Sequence, residues 1–210
     1  MKNFSDTRDR NKYFEAAGPK GYLEQYSVTL CNLLGTVDED ELRRAAALVS
    51  CARTCYVAGN GGSAATADHW VCDMTKGRTP VSPGPGDALR AVSLTAHTAL
   101  ITALANDTGY ENIFTSQLRM AGAAREDVIV LISASGNSPN IVHTADWARE
   151  MQMPIIGMTG FDGGALRNLA TVSLHIPFNN YGIVEDAHSA LMHTLAQYLW
   201  IQRSPSFSKR

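Results

Sequence analysis

The sequence predicts an α/β protein built on a doubly wound parallel sheet, and two observations carry that expectation. Five short apolar runs, TCYVAG (54–59), RAVSL (90–94), DVIVLIS (127–133), PIIGMTG (154–160) and TVSLHIP (171–177), each have the length of a buried strand. Most of them end in Gly, Ser or Thr. Between them lie stretches of helical length, and strands alternating with helices argue for parallel pairing with both sheet faces covered.

The elements follow in chain order. Helical periodicity runs over 21–34 and again over 39–51, where Asp38 is placed to cap the second helix. The first strand opens into AGNGGSAATADHW (58–70), with a helix starting near Ser63. The Pro/Gly-rich segment 80–86 (PVSPGPG) reads as a surface loop before the second strand, too short for a domain linker. The third strand runs into SASGNSPN (133–140), whose Pro139 suits the first turn of another helix. The last helix, 183–202, carries apolar residues on more than one face, which suggests burial against another subunit as well as its own sheet. One domain over 1–210 is expected, with a helical extension at about 1–53 and a first dozen residues that fray.

The bulk properties exclude several classes. Eighteen basic against twenty acidic residues leave a formal charge of −2, which offers no electrostatic reason to hold nucleic acid or an anionic membrane. The polar N-terminus has no apolar run resembling a signal peptide, and no stretch approaches the roughly 18–20 apolar residues that span a bilayer. Cys31, Cys51, Cys55 and Cys72 form neither a CxxC pair nor a zinc knuckle and read as buried free thiols. A reducing cytoplasm is the expected compartment.

Two turns carry the chemistry. In the first, Gly59, Gly61 and Gly62 remove side-chain bulk where backbone must turn and approach a ligand, and Asn60 and Ser63 add short polar groups at a helix N-terminus suited to an anion. In the second, hydroxyls at Ser133, Ser135 and Ser138 surround Gly136. Neither turn is a P-loop or a dinucleotide fingerprint. Both stand at carboxyl ends of strands, where open α/β sheets bind ligands.

With GNGGS followed six residues later by His69, the SASGNS turn, the AND-G-Y stretch at 105–110 and the final VEDAHSALMH, the chain resembles the phosphoheptose isomerases from about Leu23 to Leu199. These SIS-domain enzymes convert sedoheptulose 7-phosphate into an aldoheptose 7-phosphate. The resemblance implies a five-stranded parallel sheet in flavodoxin-like order and a homotetramer with active sites at subunit interfaces. It implies a divalent metal, zinc, on His69, Asp73, Glu185 and His193, with the carboxylate and the last histidine also moving protons. It places a sugar hydroxyl on Asp107, whose alternative reading is a turn or capping aspartate ahead of Gly109.

Some positions depart from the family pattern. Asp73 stands for a glutamate and is shorter by about 1.5 Å. Glu185 stands for a glutamine, and a second carboxylate would weaken a cation's Lewis acidity. Ala134 replaces a common threonine in the serine turn, and the expected basic residue falls on Gly77, flanked by Lys76 and Arg78. Glu185 and His193 are eight residues apart, about 12 Å along a helix, so one metal takes both only if Glu185 precedes the helix or the ligands come from neighbouring subunits. His188 lies about 140° around the helix from His193, which favours a supporting or interface role. His97, His143 and His175 read as packed or surface residues.

The expected reaction moves a proton between C1 and C2 through an enediolate, with Asp73 or Glu185 as base and His193 as ligand or acid. The alternatives are an isomerase of a longer sugar phosphate such as an octulose phosphate, a non-catalytic SIS protein binding the replication initiator, and a sugar-phosphate sensor. No basic recognition helix supports the last.

Overall fold

Alternation along the central strands divides the protein into two cores. In the computed structural model, which describes residues 13–76 and 89–203, Val128–Ser133 (β3) turns Val130 and Ile132 to one side and Ile129 and Leu131 to the other. Cys55–Gly59 (β1) and Ile155–Thr159 (β4) flank it and are likewise buried throughout, as strands covered on both faces must be. Ala91–Ser93 (β2) and Val172–His175 (β5) complete a parallel sheet in the order β2-β1-β3-β4-β5, the flavodoxin-like order expected. The loop expected at 80–86, together with Gly77, Arg78 and the first dozen residues, lies outside the described residues.

Helices Pro19–Leu34 (α1), Glu39–Cys51 (α2), Gly62–Lys76 (α3) and Tyr181–Gln202 (α8) lie on the Val130 side. Thr98–Thr108 (α4), Ile113–Met120 (α5), Pro139–Glu150 (α6) and Gly164–Leu169 (α7) lie on the Leu131 side. The Asp38 side chain accepts a 2.9 Å bond from the Glu41 amide and so caps α2 as its position predicts. Asn180 does the same for α8, which starts at Tyr181. Among the described residues no helix is long and apolar enough to cross a membrane.

The buried positions of α8 advance by fours, Ile183, Ala187, Leu191, Leu195 and Leu199 beside Val184, His188, Met192 and Ala196. Each step of four rotates the stripe by about 40°, so it sweeps roughly 160° along the helix. That sweep is filled by α1, α2 and α3 of the same chain. Much of the apolar surface that suggests a second subunit is therefore covered internally.

The free edge of β5 is closed by side chains. Glu41 accepts from the Ser173 amide at 2.8 Å, and the Arg44 guanidinium donates to the Thr171 carbonyl at 2.8 Å. These bonds occupy groups that another strand would otherwise pair with.

The cysteine expectation holds at one position. Cys55, in the central sheet, is buried and its thiol is pushed up to about 12 by burial, whereas Cys31, Cys51 and Cys72 sit on outward faces of α1, α2 and α3 and are exposed. All four are free thiols.

His188 also differs from expectation. Its ring has no exposed surface and both nitrogens lack a hydrogen bond, so it belongs to the chain's own core and to no interface. Burial lowers its pKa to about 4, against an opposing influence of the nearby Thr159 backbone and with a smaller lowering from His175. The unfolded chain binds this proton near pH ~6.5 and the folded chain does not until about 4, so the group destabilises the fold as pH falls through that window. By pH ~5 the loss reaches about 2 kcal/mol. The unfolding free energies from urea melts at pH ~7.5 and ~5 should therefore differ by about 2 kcal/mol less in a His188→Met variant; equal pH dependence in both proteins would contradict the assignment.

Candidate active site

β1 and β3 are neighbours, with Gly59 in register with Ile132, so the turns leaving their carboxyl ends emerge side by side. The chain departs from β1 toward one sheet edge and from β3 toward the other, which makes this the switch point of the sheet.

Close contacts require the glycines of both turns. A Cβ on Gly59 would lie 2.5 Å from the Ser63 carbonyl oxygen, because the turn folds back on its own strand. Gly136 has φ of 64°, and a Cβ there would lie 1.9 Å from the Gly163 carbonyl oxygen. Asn137 secures that second turn by accepting from the Ala165 amide at 3.0 Å.

Asn60 and Ser63 from the first turn and Ser133, Ser135 and Ser138 from the second line one cavity of about 190 Å³. Ser133 and Ser138 place their hydroxyl oxygens 3.2 Å apart. Tyr181 and Glu185 of α8 close the cavity. Asn60 and Asn140 exchange reciprocal 2.9 Å bonds, and the Tyr110 hydroxyl donates to the same Asn60 oxygen at 2.9 Å. The Asn60 carboxamide is thereby fixed, with one amide hydrogen left to donate. Gly61, at φ of 56°, shapes the turn without lining the cavity.

The Glu185 carboxyl packs against the first residue of α3, where a Cβ on Gly62 would lie 2.5 Å from its oxygen. Burial and then the charge of Asp186 raise its pKa. Asp186 in turn accepts from the Tyr26 hydroxyl at 2.6 Å, which ties α1 to α8 at this level.

Helices α3 and α8 run in step from there. Gly62 meets Glu185, the Thr66 hydroxyl lies 3.4 Å from that of Ser189, and one turn later His69 and Asp73 meet His193. The ligating atoms of His69, Asp73 and His193 lie within 4.8 Å of one another. Nε2 of each histidine is 3.7 Å from Asp73 Oδ2, and the two rings meet edge to face at 4.9 Å. Asp73 is buried while both histidines are roughly half exposed, so the cluster opens outward. Lys76 Nζ stands 3.2 Å from Asp73 Oδ1, supplying the cation that flanks Gly77 in sequence.

Two expected residues are not gathered. Glu185 stands four residues inside α8, so it does not precede the helix, and about 12 Å of helix separates it from His193. It faces the serine cavity instead of the trio. Asp107 is exposed in the last turn of α4, where it accepts from the Asn106 carboxamide at 2.9 Å. Conversely, Tyr181, Asn140 and Tyr110 take part without having been singled out. Asn140 ends the SASGNSPN stretch and Tyr110 the AND-G-Y stretch, but their bonds to Asn60 span 80 and 50 residues and leave no spacing signature.

Imidazole nitrogens with a carboxylate suit a divalent cation such as zinc, and hydroxyls at a helix N-terminus suit a phosphate. Residues 22–160 match the SIS domain family. The chain is similar to a phosphoheptose isomerase of Citrifermentans bemidjiense, 40% identical over 139 residues that cover 66% of this chain and 70% of that one. Among solved structures it is similar to phosphoheptose isomerase GmhA from Neisseria gonorrhoeae, with a TM-score of 0.75 and 30% identity over 86% of this chain and 95% of that one. A phosphoheptose isomerase from Francisella tularensis superposes with a TM-score of 0.77 and 28% identity over the same shares, 86% and 95%.

The two turn glycines should respond unequally to alanine. Gly136→Ala adds a clash to a left-handed backbone and should cost about 2–5 kcal/mol, whereas Gly61→Ala meets open space and should cost about 1–2 kcal/mol. Urea unfolding of both variants measures the difference, and equal losses would show that the second turn does not pack as described.

Proposed function

Because this chain belongs to the phosphoheptose isomerases of the SIS-domain family, and is with them a sugar-phosphate isomerase, we propose that it converts sedoheptulose 7-phosphate into an aldoheptose 7-phosphate with metal assistance. The observation that carries this reading is the register of α3 and α8, which sets a hydroxyl-lined cavity and a His–Asp–His cluster at two levels of the same helix pair. Glu185 and His193 mark those levels, about 12 Å apart, a separation suited to an extended sugar with its phosphate at one end and its carbonyl at the other.

The phosphate is held by Ser63, Ser133, Ser135 and Ser138 with the opening amides of α3. Glu185, whose pKa burial and then Asp186 raise, closes this end of the cavity. At the other end Asp73 takes a proton from C1 and returns one to C2, being the only carboxylate of the trio. His193 carries the accompanying proton between O1 and O2, and Lys76 holds Asp73 in place. His69, Asp73 and His193 are the residues that would hold zinc, which when bound supplies Lewis-acid stabilisation of the charge developing on the sugar oxygens.

We take the assembly to be a homo-oligomer, a tetramer with interfacial sites as the family resemblance implies, and the half-exposed cluster and the apolar side chains left outside support association. Helix α1 buries no residue completely and exposes Leu23 and Val28, and α8 exposes Ile201 and Tyr198 near its end. A Glu185 contribution to a metal would then come from a neighbouring copy. We take residues 1–210 as one SIS domain with its helical extension over about 1–53, acting in the cytoplasm.

Following sedoheptulose 7-phosphate by NMR tests these roles. Metal-replete protein should turn it over, chelation should stop turnover, and added zinc should restore it. Asp73→Asn should lower kcat by about 10²–10⁴-fold, whereas Ser135→Ala should act mainly on KM. Undiminished turnover in Asp73→Asn would remove the aspartate from the mechanism. Sugar binding without any turnover would favour a non-catalytic role.

A further inference from the structure

A cavity larger than the serine-lined one lies elsewhere. A pocket of about 570 Å³ wraps the free edge of β5 and shares no lining residue with the serine cavity. Its volume falls within the ~300–1,000 Å³ of small-molecule sites. One wall comes from Arg167 of α7 and from Ser173 and His175 of β5, and the other from Thr36, Asp38 and Glu41 at the α1–α2 junction.

The first wall presents uncommitted donors. The Ser173 hydroxyl is buried and has no hydrogen-bond partner among the described residues. The Arg167 guanidinium has no ion-pair partner among them, although it stands close enough to His175 to affect its charge. His175 Nδ1 lies 3.0 Å from the Thr159 hydroxyl, and in the tautomer in which Nδ1 accepts from that hydroxyl, Nε2 carries the hydrogen and is left to donate. Burial, and then Arg167, keep this imidazole toward its neutral form, so the positive charge of the wall is that of the guanidinium. A buried hydroxyl without a partner costs free energy unless a guest completes it, and a guanidinium fork binds carboxylate or phosphate oxygens in pairs. The opposite wall is acceptor-rich and suits hydroxyl or ammonium hydrogens.

A docked strand does not fit this place, since Glu41 and Arg44 already hold the Ser173 amide and the Thr171 carbonyl. We propose that the pocket binds a small polar metabolite with an anionic group on Arg167, Ser173 and His175 and hydroxyl or amine groups toward Asp38 and Thr36. This is a second ligand site, independent of the isomerase reading.

Glycerol 3-phosphate serves as the probe, with full-chain protein carrying ¹³C-labelled histidine. The chain has six histidines, so the His175 ring resonance can be assigned with a His175→Gln variant. Titration should shift that resonance saturably, and plain glycerol should not. Arg167→Ala should weaken the apparent affinity at least ~10-fold, while Ser135→Ala should leave it unchanged. A His175 resonance that does not move, moves equally in Arg167→Ala, or follows Ser135→Ala would overturn the proposal. The His69 and His193 resonances report the other site separately in the same spectra, so failure at one does not obscure the other.

Discussion

The pairing of β1 with β3 is the constraint on which the rest depends. Parallel strands deliver their carboxyl ends to one edge of the sheet, and the switch of direction between these two leaves no covering crossover between their turns. The register of Gly59 with Ile132 brings Ser63 and Ser135 to one cavity although 72 positions separate them in the chain. Glycine then sets how closely the turns approach. Gly59 lets the first fold onto its own strand, and Gly136 lets the second pass the Gly163 carbonyl.

The second constraint is the α3–α8 contact. Both helices advance in the same direction, so residues four apart on one meet residues four apart on the other. Polar groups are confined to this seam because the faces beside it are filled with Trp70, Met74, Leu191 and Leu195. Asp73 stays buried yet compensated, with a cation and two imidazoles around its two oxygens. The same rigid pairing separates Glu185 from the trio, since a helix cannot shorten the rise between two positions eight apart.

The fold was legible because its signals are local. Each strand declared itself through an apolar run that must be buried on both faces, and Asp38 declared a helix start through a bond that spans only three residues. The serines of the second turn were legible for the same reason, being adjacent in the chain. Cysteine burial was not, because a helix position faces core or solvent according to what packs beside it. Cys55 on a central strand is enclosed, while Cys31 on α1 is not.

By itself the sequence determined the element order, the two anion-suited turns, and the pairing of His69 with Asp73 on one helical face, since all of these follow from spacing along a single element. Only the tertiary structure decided the partners across elements. It brought His193 to Asp73 and withheld Glu185, it tied Asn60 to Asn140 and Tyr110, and it left Asp107 on the surface. It also buried His188 without a bond and opened a polar pocket at the β5 edge. Distances between residues far apart in the chain are set by packing, and the periodicity of one helix carries no record of which neighbour it will meet.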